Sequence, residues 1–280
     1  MKTRLLTFPL LLLLTGCGSL PFTPTSPQVS SAETQTNQPL NYQPYAQVLK
    51  TYVNEQGFVD YQALQDNREQ LDQFNQSLAQ IAPETYQSWS EEQQIAFWIN
   101  AYNSFTLQAI IDEEPIKSSI KDIFGVWTIR HYPILGTTKT LDDIEHQILR
   151  VDFNEPRIHA AINCASISCP VLRQEPYTGE KLDRQLDEQV KRWIEGEHGL
   201  QIDRADEIIY LSAIFDWFGE DWLPEYTPES GFNGTRKQKA ALNFISQYVS
   251  ADDAEYLRNG SYKVRYLDYD WGLNGQNKTE

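Results

Sequence analysis

From Glu91 to Ile111 the chain places apolar side chains on almost every side of a helical wheel, with Ile95, Phe97, Trp98, Tyr102, Phe105 and Ile110 the largest contributors. A helix that is apolar all round has to be covered on several sides, so the rest of the domain must be built around it. Ser90 and Gln93 at its start have the spacing of a capping box, in which the hydroxyl accepts from a first-turn amide and the glutamine reaches back. Asn100 and Asn103 interrupt the apolar surface one turn apart. Buried amides have to be paired, and two roles fit. They either tie the helix to neighbouring backbone, or line a cavity where they orient an imidazole or donate to an oxyanion.

Around this element the periodicity predicts two opening amphipathic helices. One carries Tyr45, Val48, Leu49 and Tyr52, the other Leu71, Phe74, Leu78 and Ile81 before Pro83. Strands are expected around His131-Tyr132-Pro133, over Arg157 to Ala165, at Ile208 to Leu211 and over Tyr262 to Tyr269. Thr140 reads as the N-cap of a helix ending at Arg150, with Leu141, Ile144 and Ile148 as its buried stripe. Further helical patterns run over Leu182 to Ile194, Ile214 to Trp222 and Ala240 to Val249, the last amphipathic helix expected. Helices dominate, so the fold class is α+β: a single mostly helical domain with a small β-sheet of about four to six strands.

Upstream of this domain lies a different kind of sequence. Lys2 and Arg4 precede an apolar run from Leu5 to Leu14, which closes on Leu14-Thr15-Gly16-Cys17. A basic start, a run too short to span a bilayer and small residues before a cysteine read as a lipoprotein signal over residues 1–16, resembling the bacterial lipobox. Cys17 is the expected lipidation site. Residues 17–43 are rich in Ser, Thr, Gln and Pro and read as a flexible tether; residues 44–280 form the globular domain. Cleavage removes two of the 23 basic residues and none of the 39 acidic ones, taking the formal charge from -16 to -18. A field of that sign repels phosphate backbones and anionic headgroups, so no nucleic acid partner is expected and membrane contact should come from the lipid alone. Gly18, where an Asp would resemble an inner-membrane retention signal, favours the outer membrane facing the periplasm.

The densest reactive cluster is Glu145, His146, Arg157, His159, Cys164 and Cys169. An imidazole near a thiol stabilises the thiolate and later acts as a general acid. On a regular strand His159 and Cys164 point to opposite faces, which makes His146 the better thiol partner. Pro170 opening a turn would place Cys169 at a helix start, whose dipole favours a thiolate. In an oxidising compartment the same two cysteines also fit a short structural disulfide, or a pair of inert buried thiols. Arg157 and Arg150 fit either a clamp for a substrate carboxylate or ion pairs with nearby acids; Glu145 and His146 fit either a site or a surface pair. No HExxH, paired CxxC, P-loop, GxGxxG or GxSxG occurs, so no metal and no cofactor is expected.

Several separated blocks then form a pattern. Phe97-Trp98-Ile99-Asn100-Ala101-Tyr102-Asn103, Leu141 to His146 through Arg150, Pro156-Arg157-Ile158-His159, Asn163 to Pro170 and Tyr269-Asp270-Trp271 together resemble the domain-of-unknown-function family numbered 547, over about Tyr45 to Asn274. That resemblance implies architecture and carries no settled reaction. The expected function is a lipid-anchored envelope protein with a thiol/imidazole site, a hydrolase or an acyl or peptidyl transferase acting on a small molecule or peptide. Cys164, Cys169, His146, His159 and Asn100 are its candidate catalytic residues, and Asn103, Glu145 and Arg157 its candidate binding residues. The competing expectation is a non-catalytic binding or scaffolding lipoprotein stapled by a Cys164-Cys169 disulfide.

Overall fold

The computed structural model describes residues 40–276. The signal over 1–16, Cys17 and the tether as far as residue 39 lie outside the described residues. The fold is α+β and single-domain, with helices predominating over one two-stranded and one three-stranded sheet.

The first half wraps the central helix. Helices α1 (Gln43–Tyr52), α2 (Tyr61–Asp66), α3 (Glu69–Gln80) and the short α4 (Pro83–Gln87) lead into α5 (Glu91–Ile111). The Ser90/Gln93 capping box closes the first turn of α5, and every residue from Ile95 to Leu107 is buried. The expected role of α5 follows from this pattern: with no polar face, it packs against α2, α3 and the 140s segment at once. A hairpin follows, β1 (Tyr132–Ile134) against β2 (Thr137–Lys139), turned by Leu135 and Gly136 at φ 51° and 69°. Positive φ at both turn residues matches the right-handed twist of the strands.

Thr140 caps the next helix as expected: its hydroxyl accepts from the Asp143 amide and its own amide donates to the Asp143 carboxylate. From Asp143 to Leu149, however, the helix is π-type, with the Arg150 amide reaching the Glu145 carbonyl. The strand expected over Arg157 to Ala165 is overturned. Ile158–Ala161 forms a short helix, α6, and only the residues after it run extended. Pro156 presets a helical φ just ahead of it, and the apolar Ile158-His159-Ala160-Ala161 run is buried on all sides, where a half-buried strand would alternate.

The second half begins at α7 (Leu182–Glu195) and continues through β3 (Leu200–Asp203), β4 (Ile208–Leu211), α8 (Ile214–Trp217), α9 (Leu223–Tyr226), α10 (Arg236–Ile245), α11 (Ala251–Asn259) and β5 (Lys263–Tyr266). The order in the sheet is β3-β4-β5, antiparallel then parallel. The helix expected over Ala240 to Val249 thus starts and ends earlier, and α11 follows it. The strand expected over Tyr262 to Tyr269 is confined to four residues.

These halves build two apolar clusters. The first surrounds α5, and the second gathers Trp193, Phe215, Trp222 and Phe244. Helix α6 belongs to both, since Ile158 and Ala161 enter the first and Ala160 the second. After β5 the chain returns to the first cluster as an extended strap. Its backbone receives hydrogen bonds from Ile167 to Gly272 and from Ser168 to Asp270, and Asn274 donates to Ala165.

Candidate functional site

A cavity of about 370 Å³ opens where α5, the π-helix, α6 and the strap converge. Cys164, Cys169, His146, His159 and Glu145 all reach it, within a wall made mainly of aromatic rings. Five of the eight candidate residues are therefore brought together in space, and the other three, Asn100, Asn103 and Arg157, lie off the cavity.

Cys164 and Cys169 face each other across the turn that ends in Pro170. Both are free thiols, with sulfurs 2.8 Å apart, and the Cys164 amide donates to the Cys169 sulfur at 2.9 Å. Ala165, at φ 57°, provides the reversal that folds the turn back on itself. Three asparagines hold it. The Asn103 amide donates to the Ala161 carbonyl and its carbonyl accepts from the Asn163 amide; Asn163 in turn bonds Pro170 and Ala165; Asn274 donates to Asn163 from the strap.

The two sulfurs are not equivalent. Cys164 lies 3.1 Å from both Ser166 Oγ and Tyr269 Oη, and Ser166 donates to the tyrosine oxygen at 2.9 Å. Hydrogen bonding from Cys169 first, then from these hydroxyls, lowers the Cys164 thiol below its ordinary value against the opposing effect of burial. Burial pushes Cys169 well up, and its contact with Cys164 adds to the rise. Cys164 is thus the sulfur suited to be a nucleophile, and Cys169 its donor. No helix begins at Pro170, so the dipole expected to favour Cys169 has no source there.

His159 is buried, stacked on Phe218 at 4.7 Å and inclined to Trp222 at 5.1 Å. Its Nε2 lies 2.7 Å from Asp221 Oδ2, and the same carboxylate takes two bonds from Arg150, at 2.6 and 2.9 Å. Burial resists ionisation of Asp221, but His159 and Arg150 outweigh it and hold the carboxyl far below the usual range. The opposite-face argument against a His159-Cys164 pairing loses its premise, because α6 replaces the strand. Both side chains line the same cavity.

His146 and Glu145 enter from the π-helix, a geometry that recurs at functional sites. The guanidinium of Arg150 donates to His146 Nδ1 at 3.1 Å, which leaves the ring proton on Nε2, 3.7 Å from Asp142. Glu145 is buried beside the Tyr102 hydroxyl, and it stands 4.0 Å from His146 Nδ1.

Three candidate residues lie away from the cavity. Asn100 does not line the cavity: its amide donates to the Tyr177 carbonyl at 2.7 Å and its carbonyl accepts from the Tyr177 amide at 3.0 Å. Both amide functions bond the Tyr177 backbone, and the Tyr42 hydroxyl bonds the same side chain, so the observed contacts of Asn100 are structural. Arg157 lies outside it too, bound to Glu155, Asp183 and Asp187, so its role is an ion-pair node rather than a substrate clamp. Asn103 likewise positions the cysteine turn and binds nothing else. Among the described residues no group of three His, Cys, Asp or Glu side chains is arranged to hold a metal ion.

Asp221 carries no sequence signal of a site role beyond its setting, an acid inside the aromatic run Trp217-Phe218-Gly219-Glu220-Asp221-Trp222. Ser166, Tyr102 and Tyr269 stand in the sequence only within the motif blocks, with no site role attached.

The blocks that converge here fall largely within one stretch of chain. Residues 86–194 match the family model DUF547, described as a protein of unknown function. The DUF547 match contains α5, the π-helix, α6 and the cysteine turn. Asp221 and Tyr269, which complete the contacts of His159 and Cys164, come from beyond it. No curated protein and no solved structure matches the chain.

Proposed function

We propose that this chain is a lipid-anchored cell-envelope protein whose cavity performs thiol-dependent acyl chemistry, the hydrolysis or transfer of an acyl or peptide-like group. One observation carries the reading: an acidified Cys164 thiol shares an aromatic-walled cavity with an imidazole, His159, that is oriented by a half-buried carboxylate. Asp221 keeps the proton of His159 on Nε2, which makes Nδ1 the proton acceptor. Cys164 passes its proton to that nitrogen and its sulfur attacks the substrate carbonyl carbon. A C–S bond forms and the carbonyl electron pair moves to oxygen. When the pair returns, the bond to the leaving amine or alcohol breaks and His159 gives that group its proton. Water, or a second acceptor, then attacks the thioester, yields a proton to His159 and expels the Cys164 thiolate.

The measurement that tests this is alkylation of the Cys17→Ala full-length chain by iodoacetamide across pH. Cys164 should react well below pH ~8.5, the ordinary thiol value, and His159→Ala should move the profile while His146→Ala moves it less. A purified mature protein with a quantitative Cys164-Cys169 disulfide and no response to either histidine would overturn it. That outcome would favour the second reading, a scaffolding lipoprotein, for which the contact of the two sulfurs and the wholly structural use of Asn100 and Asn103 speak.

Anchoring rests on the Leu14-Thr15-Gly16-Cys17 motif. Cys17→Ala should release the protein from membranes with its fold intact; a variant that still partitions into detergent without another lipid would refute the anchor.

A further inference from the structure

Among the described residues, the cavity lining carries carboxylates and no lysine or arginine, and the cations beside it, Arg150 over Phe218 and Lys121 over Trp271 at 4.9 Å, sit on its aromatic rings. Arg150, the guanidinium nearest to it, is committed twice over, to Asp221 through two hydrogen bonds and to the Phe218 ring at 4.7 Å. Asp142 and Glu145 also line the cavity, and among the described residues neither forms a contact ion pair with a lysine or arginine, Arg150 acting on Glu145 only from a distance. Their nearest cationic-type partner is His146, whose Nδ1 already accepts from Arg150. Glu145 is the more telling of the two, because it is buried beside the Tyr102 hydroxyl without a contact ion pair, and a buried carboxylate gains from any cation that reaches it.

The walls point the same way. Trp127, Trp217, Phe218, Tyr269 and Trp271 line the cavity, with Trp217 stacked on Trp271 at 5.7 Å and Trp127 edge-on to Trp271 at 6.1 Å. Ring faces attract an organic cation through their quadrupole, and the attraction strengthens as water is excluded. They repel a carboxylate for the same reason. The strongly acidic chain as a whole also raises the local concentration of cations.

We propose that the cavity selects substrates bearing an organic ammonium group, held between Glu145 and the aromatic wall, with the acyl carbon presented to Cys164. The location of the acyl group rests on the thiol reading above; the cation preference does not.

The experiment separates the two. Tryptophan fluorescence is titrated with three probes of matched size, benzylammonium, benzyl alcohol and phenylacetate, using the Cys17→Ala full-length chain with Cys164→Ser so that no thiol chemistry takes part. Benzylammonium should bind about tenfold tighter than benzyl alcohol, equivalent to about 1.4 kcal/mol, and phenylacetate weakest. Glu145→Gln should shrink the ratio between the charged and the neutral probe severalfold. Because a buried substitution can unfold the chain, Asp142→Asn at the more exposed position serves as the second variant and should shrink the ratio less. Phenylacetate binding as tightly as benzylammonium, a ratio unchanged in both variants, or no saturable binding of any probe would each overturn the proposal. Iodoacetamide kinetics on the Cys17→Ala full-length chain with Cys164 intact report separately on the thiol, so either reading can fail while the other stands.

Discussion

Cys164 owes its acidity to neighbours that the backbone brings in from three places, and each can be removed singly. Cys169→Ala deletes the principal donor to its sulfur and should shift the alkylation profile upward in pH; Tyr269→Phe deletes a lesser one and should shift it less. A profile unmoved by Cys169→Ala would mean that the sulfurs do not share a proton. Asn100 provides the contrasting case. Asn100→Leu strands the amide and carbonyl of Tyr177 and should lower unfolding stability by about 1–3 kcal/mol, measured in urea, while leaving the pH dependence of Cys164 alkylation in place. If the alkylation profile moved with it, Asn100 would be coupled to the site after all.

At the scale of elements, the strap after β5 and the π-helix do what the secondary structure around them cannot. The amides of Ile167 and Ser168, beside the cysteines, are protected only by carbonyls of Gly272 and Asp270. Truncation after Asp268 should therefore raise their hydrogen-exchange rates toward the unprotected value while the amides of α5 keep theirs. Equal exchange in both chains would show that the strap is not what holds the turn. The π-helix depends on its start in the same way. Thr140→Ala removes the side-chain half of a reciprocal cap and should cost about 1 kcal/mol, with loss of protection confined first to Asp143, whose amide loses its acceptor.

For the molecule as a whole, the decisive arrangement is that two apolar clusters meet at α6. Its His159 reaches across to Asp221, and Arg150 reaches the same carboxylate from the π-helix. This junction makes stability depend on pH with a definite sign. The Asp221 carboxyl is depressed in the folded chain, so its contribution is full above its unfolded value, near pH ~3.9, and is lost as pH falls toward the folded value. Acidification from about pH 4 downward should lower the unfolding free energy measured in urea, by up to about 1.4 kcal/mol per pH unit for one proton taken up on unfolding. Asp221→Asn should be less stable at neutral pH, where Arg150 and His159 lose their partner, yet show a flatter acid slope. A slope as steep as that of the unsubstituted chain would assign the acid sensitivity to other carboxylates.

Local patterning in the sequence determined the features that need only local physics. The nearly all-round apolar surface from Glu91 to Ile111 demanded a buried central helix, and the Ser90/Gln93 spacing and the Thr140 N-cap set the starts of two helices. Helix dominance with a few short strands followed from the same periodicities. The cluster of Glu145, His146, His159, Cys164 and Cys169 was legible because these residues lie close along the chain. What the tertiary structure decided is how they are used. Four residues from Ile158 to Ala161 hold too little periodicity to distinguish a buried helix from a buried strand, and packing between two cores settles it. Asn100 and Asn103 carry identical chemistry one turn apart; their roles depend on which backbone each meets, Tyr177 for one and the cysteine turn for the other. Asp221 and Tyr269 lie far along the chain from the groups they complete. Only long-range packing brings a carboxylate to His159 and a phenol to Cys164, and no spacing in the sequence encodes that meeting.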